Sequence, residues 1–153
     1  MLKQLSVFLA LLSGFILLFS CSAQKKVKRA GTGEIHDQYQ VDQKAGFEGG
    51  KRQLFQILSS NLEYPEEAIL KNIQGRVIVK FVVENNGTIN NFEILKDIGA
   101  GCADEIIRVL QKTQARWNPA KINRKRVRSY YILSVNFRIP SDDSQPYIQD
   151  ETN

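Results

Sequence analysis

Histidine occurs once and cysteine twice in the 153 residues, and both scarcities limit the chemistry open to this chain. His36 stands far from Cys21 and Cys102, so neither a Cys-His pair, nor a Ser-His-Asp set, nor metal-ligand spacing can be assembled from the sequence. The expectation is a protein that is not an enzyme, with no catalytic residues, no metal and no cofactor. Proline, four in all, is missing from the whole stretch Ser22 to Phe47, which excludes a stiff Pro-rich spacer there. A third glycine is missing after Gly99-Ala100-Gly101, where Asp104 stands instead; an acid at that place repels phosphate, so this is no phosphate-binding loop. The longest apolar run, Leu5 to Phe19, falls short of the roughly 20 residues that a spanning helix needs. Net charge is only +5, and no internal repeat is visible.

That apolar run follows Lys3 and ends in Leu18-Phe19-Ser20-Cys21. Its length suits the core of a signal peptide, and its end resembles the bacterial lipobox, where a small residue precedes a cysteine that is acylated and becomes the mature N-terminus. Residues 1–20 are therefore expected to be a signal peptide and Cys21 the lipidation site; an uncleaved anchor is the alternative. With Cys21 committed to lipid, Cys102 has no partner for an intramolecular disulfide. An exported protein also meets no nucleic acid.

Residues 21–47 read as a flexible tether, polar and basic at its start (Lys25, Lys26, Lys28, Arg29). The basic cluster is either a solvated linker or a contact with anionic lipid. Even spacing of Ile35, Tyr39 and Val41 admits a short extra strand around Tyr39 to Val41. The folded domain is expected over residues 48–140. Leu54, Phe55, Leu58 and Leu62 fall on one face of a helix from Lys51 to Asn61, and Pro65-Glu66-Glu67 opens a second helix that ends near Asn72. Val77, Val79, Phe81 and Val83 alternate along a strand that begins at Gly75. Asn85-Asn86-Gly87 then turns it into a return strand from Thr88 to Leu95. On that return Ile89 is out of phase with Phe92 and Ile94, and a bulge near Asn90 and Asn91 restores one apolar face. A longer helix, Ala103 to Ala115, precedes Asn118-Pro119. Lys121 to Arg128 reads as a basic loop, and Tyr131, Leu133, Val135, Phe137 and Ile139 alternate along the last strand. Residues 141–153 are polar and expected to be a disordered tail. The fold class is α+β, a small antiparallel three-stranded sheet with helices packed on one face.

Three features keep two readings each. Cys102, ahead of a helix, is either a thiol activated by the helix dipole or a small buried residue. Trp117 is a core anchor or a ligand platform. Arg108, Lys112 and Arg116 with the Lys121 to Arg128 loop form a patch for an acidic partner or a merely solvated face.

Ordered landmarks from Gly49 to Ile139 resemble the C-terminal domain of TonB-type energy transducers: Gly49-Gly50, Tyr64-Pro65 with Ala68, Ile73-Gln74-Gly75, Asn86-Gly87, Gly101-Cys102, Trp117 with Pro119, and Asn136-Phe137 with Ile139. The resemblance implies a periplasmic binding module that captures the TonB box of an outer-membrane receptor by strand addition along the last strand. The partner-facing residues it implies are Tyr130, Tyr131, Ile132, Leu133, Ser134, Val135 and Asn136, with Asn61 and Tyr64 ahead of Pro65. The segment before Tyr-Pro, often Gln-rich in the family, reads Asn61-Leu62-Glu63 here. The N-terminal apolar run carries no histidine, and a tether over residues 22–47 reaches about 90 Å at full extension and averages roughly 30 Å when flexible. Both departures argue against coupling to the ExbB and ExbD motor and for a lipid anchor in the outer rather than the inner membrane. The alternative is a structural envelope lipoprotein that binds another partner through the same edge or the basic patch.

Overall fold

A computed structural model describes residues 33–139 and 147–150 of the chain. The expected signal peptide, Cys21 and the first part of the tether lie outside the described residues.

The sheet is built around β3 (Gly75–Val83), which pairs antiparallel with β4 (Ile89–Lys96) on one side and with β7 (Lys125–Arg138) on the other. Alternation along β3 sends Val77, Val79, Phe81 and Val83 into the core, where they meet Leu133, Val135 and Phe137 of β7. Helices α1 (Gly50–Asn61) and α3 (Cys102–Gln111) cover this face with Leu54, Leu58, Ile106 and Leu110. Each such side chain contributes about 1.5–3 kcal/mol when fully buried. The short α2 (Glu66–Leu70) carries Glu66 and Glu67 in its first turn, where the positive end of the helix favours acids. The architecture is α+β, as expected.

Two expectations about the hairpin are met in detail. Asn91 has φ 51° and the β3–β4 register shifts between Lys80 and Val82, which is the bulge that lets Ile89 return to the core. At the turn, Asn86 Oδ1 accepts from the Thr88 N–H at 2.9 Å, and Gly87 adopts φ 82°. Gly87 also lies against another segment: a Cβ there would stand 2.5 Å from the Trp117 carbonyl oxygen.

Other boundaries differ. The domain starts well before residue 48: β1 (Ile35–His36) pairs parallel with Arg128 and Ser129, and β2 (Gly46–Phe47) pairs antiparallel with β5 (Trp117–Asn118). Phe47 is buried against Trp117. Much of the supposed tether is thus folded, and Tyr39 to Val41 is not the strand within it. The α3 helix is shorter than its expectation, and Trp117 leaves it for β5. The supposed basic loop is a hairpin in which β6 (Ala120–Ile122) turns through Asn123 and Arg124, both at positive φ, into β7. Consecutive positive φ values match the twist of adjoining strands. Finally, β8 (Tyr147–Asp150), inside the expected disordered tail, pairs antiparallel with β7. Among the described residues the sheet has six strands rather than three.

Candidate functional site

One edge of the sheet is left to β7, the strand opposite β4, and its neighbours cover it unevenly. On the side away from β3, β6 and β1 occupy Lys125 to Ser129, and β8 occupies Val135 to Arg138. No described strand lies along the edge between Ser129 and Val135. The N–H of Ile139 donates to Gln74 Oε1 at 2.9 Å, on the β3 side, and the β3–β7 register runs without a shift from Gly75 to Val83. Strict alternation then turns the amides of Leu133 and Val135 towards β3 and those of Tyr130, Ile132 and Ser134 towards the open side.

The side chains of this stretch divide by face. Leu133 and Val135 are buried in the core, and Tyr131 packs there, its ring 5.0 Å from Trp117 and 5.4 Å from Phe81. On the outer face Ile132 is 47% exposed. Lys80, paired with Glu93 at 2.7 Å, holds its ammonium 5.0 Å from the Tyr130 ring. Ser134 Oγ is buried and has no hydrogen-bond partner among the described residues. Asn136 is only 8% exposed and lies opposite Gln149 of β8.

Asn61 and Tyr64 stand elsewhere, the first as the last residue of α1 and the second just after it. The Asn61 side chain donates to the Ile57 carbonyl, and its own carbonyl accepts from Arg108 at 2.8 Å. The Tyr64 hydroxyl donates to the Ile73 carbonyl at 2.7 Å, and its ring meets Phe137 edge-on at 5.2 Å. Burial, with the nearby Cys102 adding to it, pushes the phenol up to about 12. Tyr64 thus braces the segment before α2 against the core.

Cys102 is fully buried, and burial pushes its thiol up to about 11; its place as the first residue of α3 does not activate it. Trp117, 3% exposed, meets Phe47, Phe81 and Tyr131 edge-on and donates from Nε1 to Thr113 Oγ1 at 3.1 Å, so it is a core anchor. The basic patch is broken up. Arg108 binds Glu105, whose carboxyl this contact holds below the usual range. Arg116 lies over the Phe47 ring. Arg128 grips the fully buried Glu84 with two hydrogen bonds of 2.8 Å and reaches the Gly33 carbonyl. Arg124, Lys125 and Arg126 remain exposed on the β6–β7 hairpin.

The sequence reading missed β8 and the shallow groove of about 390 Å³ that Ile148 lines with Arg52, Phe55, Gln56 and Ser59. Its signal was Tyr147-Ile148, an apolar pair after Pro146 in otherwise polar sequence.

No curated protein matches this chain. Among solved structures, the solution NMR structure of the Pseudomonas aeruginosa TonB CTD is similar at 25% identity, covering 53% of this chain and 81% of that one with a TM-score of 0.38. The family model described as the Gram-negative bacterial TonB protein C-terminal matches residues 60–139, from the end of α1 to the end of β7. The chain therefore belongs to the TonB C-terminal family.

Proposed function

We propose that this domain captures an extended segment of an outer-membrane receptor, the TonB box, by strand addition at the β7 edge, and so contributes to TonB-dependent transport. Family membership supports the coarser half of this reading, a TonB-like role in transport at the cell envelope. The observation that carries the finer half is the gap along β7 between the pairings of β1 and β8. It leaves main-chain groups directed outward beside an exposed Ile132, and strand addition draws its affinity from such groups and its choice from flanking side chains. The protein acts as a binding module rather than an enzyme; the buried Cys102, held protonated, fits that role. Lipidation at Cys21 and anchoring in the outer membrane complete the reading, as does independence from the ExbB and ExbD motor. A photo-crosslinking residue at Ile132 tests it in the living envelope. The expected product joins this chain to the N-terminal segment of a TonB-dependent receptor. Crosslinks only to other envelope proteins would favour the scaffold reading, for which the exposed cations of the β6–β7 hairpin offer a second contact surface.

A further inference from the structure

The capture edge already holds a strand. Four residues of the chain's own C-terminal segment, Tyr147 to Asp150, pair antiparallel with Arg138 to Val135, so that Ile148 stands opposite Phe137. Ile148 packs against the hydrophobic core and lines the groove beside α1 with Phe55, Gln56, Ser59 and Arg52. An added strand that used only the uncovered part of β7, between Ser129 and Val135, would have few ladder bonds; one that continued past Val135 meets β8.

We propose that β8 is an internal occupant of the capture edge, and that an incoming extended segment displaces it and sets a large apolar side chain of its own in the Ile148 groove. This rests on strand addition at β7 as the domain's function. The structure supplies three grounds. The amides of Asn136 and Arg138 lie on the same side of β7 as those of Ile132 and Ser134 by the alternation set at Ile139, so the open and the occupied stretches form one continuous edge. The occupant is short, and the connection from Arg138 to Tyr147 carries Pro140 and Pro146, residues that extend no ladder. Ile148, the β8 side chain that the structure describes, is seated on the domain's core, and a strand with a comparable residue in register can replace this contact.

The expected strength follows from tethering. A short connection gives an effective concentration on the order of 1 mM. A segment that would bind in trans with a Kd of about 0.1 mM is then docked about 90% of the time, and a competitor sees its affinity reduced roughly tenfold. Occupation of this size holds the edge against chance strands yet yields to a strong ligand.

The test uses the full chain and an Ile148→Lys variant, in which a cation enters the groove beside Arg52. Hydrogen exchange comes first and needs no partner: the amides of Asn136 and Arg138 should be protected in the parent and exchange at least several-fold faster in the variant, while those of Leu133 and Val135 stay protected. Next, a synthetic peptide of residues 144–153 is titrated into both proteins, and the variant should bind it about tenfold more tightly than the parent. Equal affinity, no binding to either protein, or unchanged exchange would overturn the proposal. Peptides from receptor N-termini of the same organism separate it from the reading on which it rests. If they bind parent and variant alike, capture stands and displacement fails. If the chain's own peptide discriminates and no receptor peptide binds either protein, β8 is an internal strand but transport capture fails, and the proposal that it yields to a receptor falls with it.

Discussion

Removing the Trp117 side chain should take away at least a third of the stability of the domain. Trp117 is the single tryptophan of the chain, and its ring is the point at which β2, β3 and β7 meet through Phe47, Phe81 and Tyr131. Truncating a buried Trp to Ala costs about 3–5 kcal/mol. Edge-on aromatic pairs add about 0.5–1.5 kcal/mol each beyond the buried area, and three are lost together, so Trp117→Ala should fall at the upper end, near 5 kcal/mol. A domain of roughly 100 residues has about 5–15 kcal/mol in all. In urea, with a slope of about 1–3 kcal/mol per molar, the midpoint should drop by roughly 2 M or more. Trp117→Phe keeps a ring and loses the bond to Thr113, so it should cost distinctly less. In the parent, Trp fluorescence should be blue-shifted when folded and red-shifted on unfolding, along the same curve as circular dichroism. A loss below about 1 kcal/mol for the alanine variant would refute the reasoning, because it would mean that the three rings do not depend on this one.

Gly87→Ala should cost clearly more than Gly50→Ala by urea denaturation. Both residues have positive φ, but only at Gly87 would the new Cβ meet a backbone atom, the Trp117 oxygen at 2.5 Å; the positive-φ penalty alone is about 1–2 kcal/mol. Arg128→Met should destabilise by roughly 3 kcal/mol, because it removes the guanidinium that pairs with the buried Glu84 carboxylate, and Glu84→Gln in the same background should recover part of the loss by thermal melting. Tyr64 has a folded pKa raised to about 12. Its contribution is fully present below pH 10 and lost as pH rises towards 12; Tyr64→Phe should remove that share of the alkaline loss in a pH series of urea midpoints.

What could be read in the sequence depended on length and locality. The β3–β4 hairpin was legible because period-two alternation runs through nine residues of β3 and Asn-Asn-Gly marks its turn; even the bulge followed from the phase of Ile89. The helix faces were legible for the same reason. Strands of two or three residues, such as β1, β2, β5 and β6, carry no period of their own, and their pairing is decided by what they meet: Phe47 by Trp117, Ile35 by Arg128. Charge was the least legible feature. Arg128 sat among other cations in sequence, yet its partner Glu84 lies 44 positions away, and only the register of β7 on β3 brings the two together. At the site, the alternation of Tyr131 to Ile139 identified the strand, but which of its main-chain groups face outward depends on Gln74, and which are already taken depends on β8.

The central claim, capture along β7, is tested most directly by proline at Ser134. Proline removes one donor and is tolerated on an edge only where that donor points away from the sheet. The Ser134 amide faces the open side, whereas that of Val135 faces β3. Ser134→Pro should therefore remain folded by circular dichroism and melting, yet lose most of its affinity for a receptor N-terminal peptide that the parent binds, while Val135→Pro should unfold. Folded Ser134→Pro that binds this peptide as tightly as the parent would contradict the account, as would a parent that binds no receptor N-terminal peptide from its own organism.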